Sequence, residues 1–370
     1  ADTRLHTQYG MVPIGELYNT GAELKVTVDK RALNGNNEAD NKKAENKKGD
    51  NEKGCEVRDA VPAFMTAREA DVYRVTTKEG YEIKATEWHD FYTRRGKIKL
   101  RELEPGDEIL VQSGKGQFGR EGSEDLGVLL GFITGDGHFT NRGKGQEAVL
   151  VNFWNEERAL ADHIATYVNM LIAGVAGNAR TYEIAPVAVP DRNHVFIRSV
   201  LLARVLEHYG FTRKSKLAVP EVVWRGTETC VKGYLRALFQ ADGTVQRDDK
   251  NAYCTIRLAS STPSLLKDVQ ILLANFGVFC RILKRRKAGT RMLPDGKGGK
   301  RAYTCKADHE LIIGSESRDI FMREIGFLLD YKNEKYREWA KARSRAGKNT
   351  FTTKIVDIAH AGRAAVFDTT

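Results

Sequence analysis

Two segments of this chain read almost alike: LGVLLGFITGDGHF at residues 126–139 and VKGYLRALFQADGTV at residues 231–245. Each is an apolar helical run with small residues four apart, Gly131 and Gly135 in the first and Ala237 and Ala241 in the second, closed by Asp-Gly. Positions i and i+4 share a helix face, so each run offers a smooth strip on which another backbone can pack closely. A chain that repeats such a unit folds as two copies of one supersecondary structure. Around each segment the pattern predicts helix, two strands, helix, two strands, helix, with the second copy lengthened at a basic turn. Gly137 and Gly243 are expected to stop the two helices in the left-handed conformation, which leaves Asp136 and Asp242 side by side. Acids are unfavourable at the negative end of a helix, and two together are worse. A divalent cation would relieve both. Magnesium takes oxygen ligands, and paired sites can stabilise both oxygens of an in-line phosphoryl displacement. For one segment alone, a solvated helix cap is the plainer reading; the repetition favours a shared site.

At 370 residues the chain is expected to form two domains. With 41% hydrophobic and 29% charged residues it has the apolar side chains for a core, which excludes a disordered or collagen-like chain. No apolar stretch approaches the roughly 20 residues that cross a bilayer, so no membrane association is expected. The first residues carry no secretory pattern, and the five cysteines are scattered without a CxxC pair, so a reducing cytoplasm is expected. Lys and Arg exceed Asp and Glu by 59 to 49, giving +10 and favouring a polyanionic partner. Basic residues crowd between Arg281 and Arg301, around a Pro-Asp-Gly turn, as in a hairpin that tracks phosphates.

Ahead of the repeats, β-branched and aromatic residues alternate through ELKVTVD, DVYRVTTKEG and YEIKATEWHDFYT, which predicts an all-β region over about the first hundred residues. Residues 34–54, NGNNEADNKKAENKKGDNEKG, have only alanine as apolar content and are expected to be a disordered insertion. The glycine-rich run from Gly114 reads as a linker, with a boundary near 115–124. The tail TTKIVDIAHAGRAAVFDTT returns to β-like segments and is expected to rejoin the first domain.

LLGFITGDG and LRALFQADG resemble the paired motifs of the LAGLIDADG homing endonucleases, as do the αββαββα order, Lys216 followed by Val219-Pro220, and IGFLLDYKNEKY. TEWHDF, DTRLHTQYG and VDIAHAGRAAVFDTT resemble blocks of Hint splicing domains, as in inteins. The implied fold class is α+β multidomain: an all-β Hint-like splicing domain, residues 1–115 and 349–370, around a pseudo-twofold duplicated endonuclease, residues 116–348. Its repeats would run from about 124 to 220 and from about 228 to 345. The resemblance implies Asp136 and Asp242 as metal-binding catalytic carboxylates, with Gly137 and Gly243 bringing backbone to the metal. It implies Lys216 and Lys332 as the basic residues at the cleaved phosphate, with Lys214 and Lys335 as close alternatives. Mg²⁺ is the expected cofactor, with Mn²⁺ a substitute. The partners would be double-stranded DNA and host exteins, and the chain a monomer in a bacterial or archaeal cytoplasm. DNA contacts are expected from Arg180, Tyr182, Arg198 and Arg257, and from the cluster Arg281, Lys284, Arg285, Arg286, Lys287, Arg291, Lys300 and Arg301. Thr86, His89 and Asp368 would serve splicing. The family begins with Cys or Ser where this chain has Ala1, and Thr370 stands without the terminal His-Asn pair, a role His360 does not fill. The chain as given is therefore expected to be inert in splicing while still cutting DNA. The alternative is a splicing element whose nuclease has decayed to DNA binding; the presence of both acids argues against it.

Overall fold

The computed structural model describes residues 1–33, 53–141, 143, 146–176, 183–248, 253–294, 299–341 and 347–369. The expected insertion lies outside them up to residue 52, as do Arg180, Tyr182 and the Asp-Gly of the basic turn. The chain forms two compact units, residues 1–118 with 257–321 and 346–370, and residues 119–256 with 322–345. Among the described residues no helix is long and apolar enough to cross a membrane.

In the first unit, strand Phe64–Thr77 pairs antiparallel along most of its length with the tail strand Thr352–Asp368. The tail is thus one 17-residue strand and not several short segments. Both lie in a six-stranded sheet whose outer members are Glu82–Ala85 on one side and Glu108–Leu110, Asp90–Thr93 and Gly96–Lys99 on the other. Val75, Ala85, Phe91, Leu100, Leu103, Ile109 and Ile355 bury its core. A second sheet is built of Gly10–Pro13, Arg4–Thr7, Leu24–Asp29 and Cys55–Ala60. Two short helices, Ile14–Thr20 and Lys30–Leu33, interrupt the all-β expectation. The first closes at Gly21, whose φ of 60° suits a residue without a Cβ.

Helix Pro263–Ala274 and strand Cys280–Arg286 of the second repeat belong to this first unit. The carbonyl of Glu79 accepts the Ile282 N–H at 2.9 Å and the Gln270 Nε2 at 3.0 Å. Buried Asn275 donates to the Gln117 carbonyl at 2.6 Å and bonds the His6 Nδ1 at 3.0 Å. The glycine-rich run is therefore pinned, with the Gly116 N–H donating to the Asn275 carbonyl at 3.0 Å and the Gln117 N–H to Thr27 Oγ1 at 3.1 Å. The repeat's own periodicity marks its helices and strands; it carries no record of which distant backbone they bond.

In the second unit, helices Glu124–Asp136 and Glu228–Asp242 start at Ser123 and Thr227, whose hydroxyls accept the N–H groups of Leu126 and Cys230. Both helices pass straight into strands, Gly137–Asn141 and Gly243–Asp248. Gly137 (φ −85°, ψ 160°) and Gly243 (φ −92°, ψ 158°) are extended, so the expected left-handed stop is not what forms. Glycine is needed there for room. A Cβ on Gly137 would lie 2.6 Å from Ile133 Cα, and one on Gly243 2.9 Å from Phe239 Cα. The first repeat's sheet orders Gly137–Asn141, Glu147–Trp154, His194–Ser199 and Val187–Ala188. Among the described residues 183–190, only Val187–Ala188 form a strand, bounded by Pro186 and Pro190, which lack ladder donors. The Ile184 backbone is satisfied instead by the Asn169 side chain, at 2.9 Å to its N–H and 2.8 Å to its carbonyl.

Candidate active site

The two motif helices touch along their small residues. A Cβ on Gly131 would collide with the Tyr234 carbonyl and lie 2.8 Å from the Ala237 Cβ, and one on Gly135 would lie 2.6 Å from the Ala241 Cβ. A Cβ on Gly233 would meet the Glu124 carbonyl at 2.5 Å. Contact of this kind carries the helix ends together, and the Gly135 Cβ position is 3.4 Å from Asp242 Oδ2. Asp136 and Asp242 thus stand at one end of the pair, with Lys216 and Lys332 beside them. Loss of water raises the pKa of Asp136, and both lysines pull it back. Loss of water around the carboxyl and then the charge of Asp136 push Asp242 up to about 6, although the residue as a whole is exposed. Burial lowers Lys216, against the attraction of both acids.

Lys332 is buried, and its ammonium donates to three carbonyls at the end of the second motif helix: Gly243 at 2.8 Å, Phe239 at 3.4 Å, and Gln240. It is a helix cap of the favourable sign. Burial lowers its pKa to about 8. Lys216 makes one described bond, 3.3 Å to the Gly135 carbonyl. Lys214 and Lys335 are exposed. Asn152 fixes the first helix end by donating to the Asp136 carbonyl at 2.8 Å, and its Oδ1 meets the His194 Nε2 at 3.0 Å. The His194 ring stacks on Trp154 at 3.9 Å.

Sequence reasoning missed Glu157. It is 6% exposed, accepts from the Gln240 Nε2 at 3.0 Å, and is pushed up to about 7 by burial, with Asp136 and Asp242 among the charges that add to the shift. Among the described residues no three His, Cys, Asp or Glu side chains are arranged to hold a metal. Two carboxylates that stand close together and are only partly desolvated nevertheless suit Mg²⁺, which commonly takes one or two carboxylates and fills its remaining positions with water and phosphate oxygens.

The other expected residues are placed differently. Arg198 is exposed on strand His194–Ser199. Arg257 bonds Glu310 at 2.9 Å, with side chains only 18% and 10% exposed, so it is engaged in an internal ion pair. Arg281, Lys284, Arg285, Arg286 and Lys287 lie exposed on or just beyond strand Cys280–Arg286, and Lys300 and Arg301 lie exposed on strand Lys300–Cys305. Arg291 faces Tyr303, and Leu293 faces Arg301, across the hairpin of Gly289–Pro294 and Lys300–Cys305. Thr86 and His89 form a turn in which the His89 N–H donates to the Thr86 carbonyl at 3.1 Å, with the His89 side chain exposed. Asp368 pairs with Phe64, and the strand leading to Thr86 pairs with Tyr73 through Ala85. Some nine residues of strand, about 30 Å of contour, separate the two.

The raised acids and the lowered lysine fix a pH dependence. Asp242 and Glu157 hold protons more tightly folded than unfolded, so each contributes stability below its unfolded pKa and loses it as pH rises through about 6 and about 7. Lys332 is the reverse: its contribution is present above 10.5 and is lost as pH falls through about 8. All three are unfavourable near neutrality without a counter-ion. In chelator, the melting temperature is expected to fall between pH 5.5 and 7.5, and an Asp242→Asn, Glu157→Gln double variant should flatten that slope. An unchanged slope in the double variant would count against the assignment.

Residues 229–326 match the family model described as the LAGLIDADG-like domain. The ribonucleoside-diphosphate reductase NrdEB subunit alpha of Bacillus subtilis is 32% identical over the whole of this chain, which spans 34% of that protein. Among solved structures, a mesophilic variant of the homing endonuclease I-DmoI is 17% identical with a TM-score of 0.35, over 55% of this chain and 95% of that one. A variant of the Ssp DnaB mini-intein is 24% identical with a TM-score of 0.23, over 33% of this chain and 62% of that one. Residues 229–326 thus carry a LAGLIDADG-like domain, and the motif helix and acid at its start are repeated at residues 124–136, in a chain similar along its whole length to one third of the NrdEB protein.

Proposed function

We propose that this chain is an intein-borne homing endonuclease that cuts both strands of a long duplex DNA site as a monomer, with Mg²⁺ as its natural cofactor and Mn²⁺ as a substitute. The observation that supports it best is the pair of acids at the shared end of two helices, partly desolvated and flanked by lysines. Asp136 and Asp242 would hold divalent ions in paired sites, each acid serving the phosphate of one strand, and the strands that follow Gly137 and Gly243 would lead away from them along DNA. When bound, such ions would supply polarisation of a phosphate oxygen and a lowered pKa for a coordinated water. Lys216, with one described bond to protein, would place an N–H on a phosphate oxygen. Lys332 would hold the second acid's helix end in place, and Lys335 would be the nearer phosphate contact on that side. The host protein's exteins would flank the chain in a bacterial or archaeal cytoplasm.

The test is cleavage of a duplex that joins the host gene directly across the insertion point. Two cuts requiring Mg²⁺ or Mn²⁺ are expected, and no cleavage of that duplex in either ion would sink the reading. The basic hairpin has its own test. Replacing Lys284, Arg286 and Arg301 with alanine should lower the slope of log affinity against log salt by about 3, since each phosphate contact contributes about 0.9. An unchanged slope would place the DNA elsewhere.

A further inference from the structure

The end of the second motif helix is held by a buried chain of hydrogen bonds that runs to a carboxylate, whereas the described bonds at the end of the first run through Asn152 to His194. Gln240, fully buried and two residues before Asp242, donates through Nε2 to the Glu157 carboxylate at 3.0 Å and to the Tyr331 hydroxyl at 3.1 Å. Its Oε1 accepts the Leu329 N–H at 3.1 Å, and its backbone carbonyl accepts from Lys332. The corresponding residue of the first repeat is Thr134. Its hydroxyl bonds the Leu130 carbonyl of its own helix at 2.8 Å and meets the Tyr234 hydroxyl at 3.4 Å, and neither described partner is a carboxylate. The lysines differ in the same sense, three described bonds for Lys332 against one for Lys216.

We propose that Glu157 is a positioning residue: through Gln240 it fixes the last turn of helix Glu228–Asp242, and so the setting of Asp242, which makes the two halves of the site unequal. The proposal rests on the nuclease reading above. Glu157 sits behind the helix end, where a hydrogen-bond acceptor is what Gln240 requires. Glutamine retains an acceptor oxygen at that place, and alanine does not.

Three variants decide it: Glu157→Gln, Glu157→Ala and Gln240→Ala. In the metal-free protein, amide exchange at residues 239–243 should quicken about 10-fold in Glu157→Ala and stay within about 2-fold in Glu157→Gln, matching the effect of losing an outer partner of a ligand. Mn²⁺ affinity, read from its paramagnetic resonance with no DNA present, should fall by a similar factor in the alanine variant only. On end-labelled duplex, one strand should be cut about 10-fold more slowly in Glu157→Ala while the other changes less than about 3-fold. Global destabilisation would slow both strands alike. Combining Glu157→Ala with Gln240→Ala should cost no more than either alone, because the two act as a unit. Equal slowing of both strands, or losses in Glu157→Gln equal to those in Glu157→Ala, would overturn the positioning role. A folded, unaffected Glu157→Ala beside an active wild type overturns this inference alone. A wild type that neither binds Mn²⁺ nor cuts overturns the nuclease reading and this inference with it.

Discussion

Asp136→Ala and Asp242→Ala should each abolish double-strand cleavage, with rates down by at least about 1,000-fold, while affinity for the duplex stays within a few-fold. On the proposed reading the loss follows from removing an oxygen ligand of an ion that would polarise the phosphate, a contribution of several kcal/mol. Affinity persists because phosphate contacts from basic side chains carry most of it. Stability should move the other way. Asp242 bears a carboxylate that burial and Asp136 both disfavour, so at pH 7.5 in chelator its neutral replacement relieves a repulsion the native fold tolerates. A gain in melting temperature together with a loss of cutting is the signature of a site built for function. Cleavage gels, salt-matched binding and thermal melts on the same preparations read all three quantities. Full cutting by either variant would remove the acid from the mechanism, and a lowered melting temperature would make it a structural cap.

Much of this site is legible in the sequence because its geometry is local. Small residues four apart encode a close helix contact, and an acid ending each helix is carried to the contact's end with no further information. What fails is anything set by a distant partner. Glu157 lies in the 3-10 turn Asn155–Leu160, where no periodicity singles it out, and its bonding partner Gln240 is 83 residues away. Arg257 reads as one more basic strand residue until Glu310 is found beside it. The glycines after the acids show a different limit. A glycine required for a positive φ and one required for space are the same letter, and here the space argument wins at Gly137 and Gly243. The outer helix and strand of the second repeat bond to the Glu79 carbonyl through Gln270 and Ile282, a choice of neighbour that local patterning does not express.

The same space argument yields a prediction whose sign opposes helix propensity. Gly131→Ala replaces an interior helical glycine and, on propensity alone, should stabilise by about 1 kcal/mol. Gly174 in helix Ala161–Ala176 provides the control, since a Cβ added there meets nothing within 4 Å, and Gly174→Ala should gain about 0.5–1 kcal/mol. At Gly131 the added carbon would collide with the Tyr234 carbonyl and stand 2.8 Å from the Ala237 Cβ, and neither is the movable end of a flexible side chain. The helices must therefore separate, and they are buried along that face: Leu129, Leu130, Phe132, Leu235 and Leu238 have no exposed surface. Overpacking of this kind costs about 1–3 kcal/mol, and the bulkier Gly131→Val should lie at or beyond the upper end. Urea unfolding at pH 7.5 should thus rank the four proteins Gly174→Ala, wild type, Gly131→Ala, Gly131→Val from most to least stable. Spreading the helices also moves Asp242 away from Asp136, so Gly131→Ala should lose cleavage under conditions where it remains folded. A Gly131→Ala protein as stable as the Gly174→Ala control would show that the two motif helices do not meet along this strip, and the paired-acid site would lose its physical basis.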